Sequence, residues 1–162
     1  WLPTAHTEAP SEGSVLLAGL MLKVGAYGLI RILMPVLPDA CRYFSPYILI
    51  FSMISILYVG IVAYGQKDIK KLIAYSSVSH MGFVTLGLFL IYYTKLESLA
   101  ILAFVGAVIQ MITHAFGSGG LFLSFGMLYA KVKKRNISVF QGLYTQLPWF
   151  SLFFMLLRTR VK

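Results

Sequence analysis

The stretch GSVLLAGLMLKVGAYGLIRIL, residues 13–33, decides the fold class. It is an apolar run long enough to cross a bilayer as a helix, yet it carries Lys23 near its middle. Lys23 lies eleven residues after Glu12 and eight before Arg31, so each is more than about 10 Å away along a helix. A lysine at mid-membrane costs about 2.5 kcal/mol or more on insertion scales, and such residues usually face a protein interior.

The residues one helical turn away from Lys23 include two small ones. Gly19 precedes Lys23 by four residues, Ala26 follows it by three, and Tyr27 follows it by four. Small residues on one face of a membrane helix allow another helix to approach closely. We therefore predict that Lys23 points into a helix bundle rather than toward lipid.

The composition of the whole chain is typical of a polytopic membrane protein. Of 162 residues, 59% are hydrophobic and only 12% are charged, whereas ordinary soluble domains are about a quarter charged. We predict an all-α, polytopic transmembrane helix bundle that forms one unit over residues 1–162. The expected elements are four full spans and a partial fifth, at about residues 13–37, 46–65, 72–93, 99–129 and 147–157.

The fourth expected span contains the sequence GSGG, residues 117–120. This span is too long to cross a bilayer of ordinary thickness as one straight helix. Glycines in a membrane helix mark either a bend or a close approach of a neighbouring helix. We expect one of these two features at GSGG, and the sequence is not that of a phosphate-binding loop.

The basic residues are unequally divided between the two membrane sides. One set of loops receives Lys67, Lys70, Lys71, Lys131, Lys133, Lys134 and Arg135, and the other receives Arg31, Arg42 and Lys95. The positive-inside rule places the first set in the matrix or cytoplasm. The basic tail of Arg158, Arg160 and Lys162 weakens this contrast. The net charge of +9 comes from basic loops, whose expected partners are lipid headgroups. We therefore expect no nucleic-acid binding.

Two histidines occur at depths similar to that of Lys23. His80 lies in the third expected span, with Ser76 and Ser77 one turn before it. His114 lies in the fourth, with Gln110 four residues before it and Ser118 four after it. A layer of ionisable groups beside small and hydroxyl residues can order water and pass protons. We predict that Lys23, His80 and His114 form a proton relay and that the four neutral polar residues line it.

Simpler structural interpretations of Lys23, His80 and His114 remain open. An intramembrane histidine is often a hydrogen-bond partner between helices, and Lys23 could pair with an acid from another subunit. A three-ligand metal site is disfavoured because lysine is a poor ligand and no HxxxH motif or carboxylate pair occurs. The single Cys41 cannot form an intrachain disulfide or a cysteine cluster. We therefore expect no metal and no cofactor on this chain.

Charged residues near the ends of the spans have ordinary structural interpretations. Asp68 precedes the third span and is a candidate N-cap, and its neighbouring lysines could bind lipid headgroups. His6, Glu8 and Glu12 lie in the opening segment, which could form a water-facing vestibule. An ordinary solvated loop is the favoured interpretation for these three residues.

Three blocks of the chain resemble one family in the family's order. They are WLPTAHTEAPSEGSVLLAGLMLKVGAYGLIRI, DIKKLIAYSSVSHMGFV and GAVIQMITHAFGSGGLFLSFGMLY. Together they resemble the antiporter-like, proton-pumping membrane subunits of respiratory complex I, over about residues 1–150. The resemblance implies a fourteen-helix fold, of which this chain would supply the eighth to eleventh helices and the start of the twelfth. It also implies that Lys23 is the central proton-transfer lysine and that His80 and His114 are relay histidines.

The resemblance further implies a place in the respiratory chain. The expected partners are the other membrane-arm subunits of complex I, neighbouring antiporter-like subunits, and the rest of a longer or split subunit. The expected location is the mitochondrial inner membrane, with a bacterial plasma membrane as the second choice. Two rival functions stay open: a subunit of a multi-subunit cation/proton antiporter, and a structural scaffold that carries no protons.

Overall fold

The chain folds as an all-α bundle, which confirms the predicted fold class. The structure is a computed structural model that describes residues 1–140 and 142–160, so Lys162 of the basic tail lies outside the described residues. Within those ranges no β-strand occurs, and the only β-type pairing is an isolated antiparallel bridge between Asp68 and Asn136. Four helices in the described ranges are long and apolar enough to cross a membrane, so the chain is a multi-pass membrane protein.

The helices follow one another along the chain with short connections. A short helix α1 precedes the four long helices α2 to α5, and two shorter helices follow after a 3₁₀ turn at Ile137–Phe140. Their bounds are α1 Leu2–Glu8, α2 Ser11–Val36, α3 Pro38–Tyr64, α4 Ile69–Tyr93, α5 Glu97–Val132, α6 Leu143–Gln146 and α7 Pro148–Arg160.

Helix α3 begins eight residues before the expected span at Pro46. Pro38 occupies its first turn, where a missing N–H does no harm, and Pro46 is tolerated inside the helix. The segment between these prolines contains Asp39, Arg42 and Ser45, so the helix begins before the apolar stretch, and the expected span at about residues 46–65 stays a prediction. The helix itself extends beyond the apolar stretch.

Helix α4 lies at the centre of the bundle. Half of the residues in the most apolar 18-residue stretch of α4 are buried. In the corresponding stretch of each of the other three long helices, only 11% are buried. Two apolar clusters flank it: one joins Ile73 and Ala74 to Phe122 and Phe125, and the other joins Val84, Leu88 and Phe89 to residues of α2, α3 and α5. The two flanking clusters leave mid-helix positions of α4 for polar contacts.

The regular helical hydrogen bonding is interrupted in two spans by π-helical turns. They occupy Leu17–Met21 and Leu29–Leu33 in α2, and Ser55–Val59 in α3. Such turns re-aim the side chains that follow them and occur often at functional sites. The first of them ends two residues before Lys23.

The GSGG segment does not break α5, which runs as one helix of 36 residues, about 54 Å. The alternative expectation of close approach is confirmed. A Cβ atom on Gly120 would lie 3.0 Å from the side chain of Leu157 in α7. Six residues later, a Cβ atom on Gly126 would lie 2.6 Å from Cβ of Ser11. These glycines let α7 and the start of α2 lie directly against α5.

Asp68 caps helix α4, as the sequence predicts. Its carboxylate accepts hydrogen bonds from the backbone N–H groups of Lys70 at 2.8 Å and of Lys71 at 3.3 Å. We expect Asp68→Ala to lower the free energy of unfolding by about 1 kcal/mol, because both N–H groups lose their acceptor. Thermal unfolding in detergent measures this. Asp68→Asn keeps an acceptor oxygen and should recover most of the stability, and equal losses in both variants would contradict the capping role.

Candidate functional site

Lys23 points inward from α2 and contacts α5. Its Nζ lies 2.7 Å from Nδ1 of His114 and also donates to the backbone carbonyl of Ala18. That carbonyl belongs to the π-helical turn that precedes the lysine. The ammonium group therefore has one acceptor on its own helix and one on a neighbouring helix. This geometry agrees with the prediction that Lys23 points into the bundle.

His114 is buried on α5, with 2% of its surface exposed. Its Nδ1 faces Lys23, and the Ser118 hydroxyl lies 3.5 Å from the same nitrogen while donating to the His114 carbonyl at 2.6 Å. Its Nε2 is buried and has no hydrogen-bond partner among the described residues. A buried nitrogen in this state requires a water molecule or another group as its partner. His114 is thus engaged at one nitrogen and available at the other.

His80 approaches the same point from α4. The ring centroids of His80 and His114 are 5.8 Å apart, with an angle of 49° between the ring planes. The side-chain amide nitrogen of Gln110 lies 3.4 Å from Nδ1 of His80. This contact links one ring nitrogen of His80 to a side chain on α5. The three ionisable residues singled out in the sequence therefore form one cluster across α2, α4 and α5.

A cavity of about 280 Å³, open to the surface of the bundle, adjoins this cluster between α4 and α5. His80 and Gln110 line it together with the small residues Gly87, Ala103 and Ala107. The volume is sufficient for several water molecules, since one water occupies about 30 Å³ in the liquid. The cavity thus gives the polar cluster a place for water at the contact between two spans.

The predicted lining residues divide into two groups. Gln110 and Ser118 contact His80 and His114 as described above. Ser76 instead donates to the Ile73 carbonyl of its own helix at 2.8 Å, and Ser77 is buried on the same helix. Among the described residues no hydrogen bond connects Ser76 or Ser77 to the cluster, so their role as lining residues stays a prediction.

Side chains that bind metals are not grouped together in the described part of the chain. No group of three or more His, Cys, Asp or Glu residues is arranged there to hold a metal ion. Cys41 is buried with a free thiol, and its Sγ lies 3.9 Å from the Leu33 carbonyl oxygen. The absence of a cofactor on this chain stays an expectation.

Two buried ionisable residues, His6 in α1 and Lys70 at the start of α4, were not identified from the sequence. His6 is fully buried and stacks on Phe122, with ring centroids 4.9 Å apart, so the solvated-loop interpretation is wrong for His6. Glu8 and Glu12 are exposed as expected, but they lie in helices α1 and α2 rather than in a loop. Lys70 is also buried, and its Nζ donates to the Ala9 carbonyl at 2.6 Å. Helix α1 is only seven residues long, too short for hydrophobic periodicity to reveal its buried face.

The burial of His6 predicts a loss of stability in acid. Burial, and secondarily the Lys70 ammonium, lower the pKa of His6 from 6.5 to about 4. The unfolded chain therefore binds a proton at pH values where the folded chain does not, and the stability falls as the pH drops from about 6.5 to 4. We expect a loss of up to about 3 kcal/mol over this range. His6→Phe retains the stack on Phe122 and should reduce this pH dependence in thermal unfolding, and an unchanged pH profile would contradict the assignment.

Comparison with known proteins gives consistent matches over nearly the whole chain. The family described as NADH:quinone oxidoreductase/Mrp antiporter, transmembrane, matches residues 1–161. NADH-ubiquinone oxidoreductase chain 4 of Chondrus crispus is 45% identical over 155 residues, which is 96% of this chain and 30% of that protein. NADH-quinone oxidoreductase subunit M of Rickettsia typhi is 43% identical over 156 residues, again 96% of this chain and 30% of the relative. The chain thus spans about 30% of the length of these curated relatives.

Proposed function

Because the chain belongs to the NADH:quinone oxidoreductase/Mrp antiporter transmembrane family, we propose that it forms part of the proton-translocating membrane arm of complex I. Relatives named subunit M or chain 4 support its place in the corresponding subunit. The chain would contribute to NADH:ubiquinone reductase as a membrane subunit, with electron transfer on other subunits. Its partners would be the remaining part of the same subunit, the neighbouring membrane-arm subunits and membrane lipids.

The contact between Lys23 and His114 carries this proposal. A charged lysine only donates, so Nδ1 of His114 accepts and the neutral imidazole holds its proton on Nε2. Transfer of a proton from Nζ to Nδ1 produces a neutral amine and an imidazolium. The imidazolium then releases the Nε2 proton to the next acceptor and becomes neutral again. A proton taken up by the Lys23 amine restores the ammonium, and exchange of the ring proton of His114 from Nδ1 back to Nε2 through water restores the starting tautomer. One proton thus enters the pair and one leaves it, and no redox centre is needed.

His80 and water continue the relay beyond His114. With ring centroids 5.8 Å apart, one water molecule or a small ring movement connects the two imidazoles. The adjoining cavity, which His80 and Gln110 line, has room for water beside His80. A charge that moves near Lys23 changes the proton affinity of Lys23, so a remote event can drive uptake and release. This electrostatic coupling is how the membrane arm would respond to electron transfer elsewhere.

Membership in complex I is tested by separating gently solubilised membranes on a native gel. Peptides of this chain, identified by mass spectrometry, should migrate with NADH dehydrogenase activity. Fractionation of the same cells should place the peptides in the mitochondrial inner membrane, which we propose as the location. Migration apart from that activity would overturn membership, and recovery in a bacterial plasma membrane would overturn the location only.

The second candidate function is a subunit of a multi-subunit cation/proton antiporter, since the family description also names the Mrp antiporter. It predicts that transport in reconstituted vesicles depends on sodium and persists without NADH and quinone. Complex I membership predicts that transport requires both of these substrates. The same vesicles therefore distinguish the two functions.

A further inference from the structure

Two basic loops that are far apart in the sequence are joined at one end of the bundle. The backbone N–H of Ile69 donates to the Arg135 carbonyl at 3.1 Å, and the N–H of Ile137 donates to the Lys67 carbonyl at 3.0 Å. These two bonds surround the bridge between Asp68 and Asn136. The loop before α4 and the loop after α5 therefore form one paired surface.

This surface, which we call the basic platform, carries five exposed lysines. They are Lys67, Lys71, Lys131, Lys133 and Lys134. Among the described residues no carboxylate lies within salt-bridge distance of their ammonium groups. The nearest acid in sequence, Asp68, uses its carboxylate to cap α4. The platform therefore sets five exposed lysines against the single carboxylate of Asp68, so its net charge is strongly positive.

The other two cations of this region are already engaged within the fold. Lys70 is buried and bound to the Ala9 carbonyl. The guanidinium of Arg135 lies over the Tyr129 ring, 5.3 Å from the ring centroid. The five exposed lysines are thus the ones available to an external anion.

Exposed apolar side chains border the same loops. Tyr64 ends α3 one residue before the first loop and is 93% exposed. Val132, Ile137 and Val139 flank the second loop and are each about 40% exposed. A ligand with an anionic head and apolar chains would satisfy both parts of this surface. A small soluble anion would use only the lysines.

We propose that the basic platform binds the phosphate headgroup of an anionic phospholipid, whose acyl chains lie along the adjoining apolar side chains. The positions of the lysines at the ends of membrane-spanning helices place them at the depth of lipid phosphates. The backbone pairing holds lysines from both loops together, so several can face one headgroup region. This proposal concerns lipid binding and does not depend on proton transfer at Lys23.

The test measures lipid binding to the full-length subunit or the intact complex, purified and delipidated in detergent. Fluorescent phosphatidylglycerol and phosphatidylcholine are the probes. The triple variant Lys67→Ser, Lys133→Ser and Lys134→Ser should weaken phosphatidylglycerol binding by at least about tenfold, with little effect on phosphatidylcholine. A matched control replaces the opposite-side cations Arg31, Arg42 and Lys95 by serine, and it should change binding by less than about twofold.

Three outcomes would overturn the proposal. The first is equal binding of both lipids by the unmodified protein. The second is an equal loss of binding in the two triple variants. The third is displacement of phosphatidylglycerol by inorganic phosphate at the same ionic strength, which would make the platform a general anion site. Thermal unfolding of each variant confirms that it is folded before lipid is added.

Discussion

Replacing Lys23 by methionine is expected to lower proton translocation by roughly tenfold or more, while the complex still assembles. Methionine has nearly the length of lysine and is apolar, so it fits between α2 and α5 but cannot pass a proton to His114. The measurement is the rate of proton uptake into sealed vesicles during NADH oxidation, normalised to the amount of assembled complex on a native gel.

Lys23→Arg separates proton transfer from charge. Arginine preserves a positive charge near His114, but its guanidinium does not lose a proton in proteins. We therefore expect Lys23→Arg to translocate as poorly as Lys23→Met, although its fold is preserved. Lys95→Met removes an exposed lysine from a loop and serves as the matched control, with full translocation expected. Full translocation by Lys23→Met or Lys23→Arg would refute the relay.

Replacing Gly87 by valine is expected to lower the free energy of unfolding by about 1–3 kcal/mol. A Cβ at this position would lie 2.9 Å from the Ala103 carbonyl oxygen and 3.0 Å from the Ala107 Cβ. These are backbone and short side-chain atoms that cannot rotate away, so α4 and α5 must separate. Because His80 and Gln110 face each other across these same two helices, we also expect reduced proton translocation.

The matched control for this variant is Gly28→Val in α2. A Cβ on Gly28 meets nothing within 4 Å, so the added side chain enters open space at the surface of this bundle. Thermal unfolding in detergent should show a clear decrease for Gly87→Val and a small change for Gly28→Val. Equal unfolding temperatures for the two variants would contradict the close contact between α4 and α5.

The spans and the ionisable layer were predictable because both depend on positions within a helix. An apolar run long enough to cross a bilayer identifies a span, and counting residues from its ends gives the depth of Lys23, His80 or His114. Helical spacing also identified Gln110 and Ser118 as neighbours of His114. Spacing alone could not separate these two from Ser76 and Ser77, since all four lie one turn from a histidine on an apolar helix.

The sequence by itself determined the membrane class, the four long helices, the cap at Asp68 and the similar depths of three ionisable residues. The tertiary structure decided that Nζ of Lys23 meets Nδ1 of His114, because this contact depends on how α2 lies against α5. It also decided that His6 is buried and that two basic loops pair at one end of the bundle. The physical reason is that periodicity and hydropathy describe one helix at a time, whereas contacts between distant segments depend on the packing of all of them together.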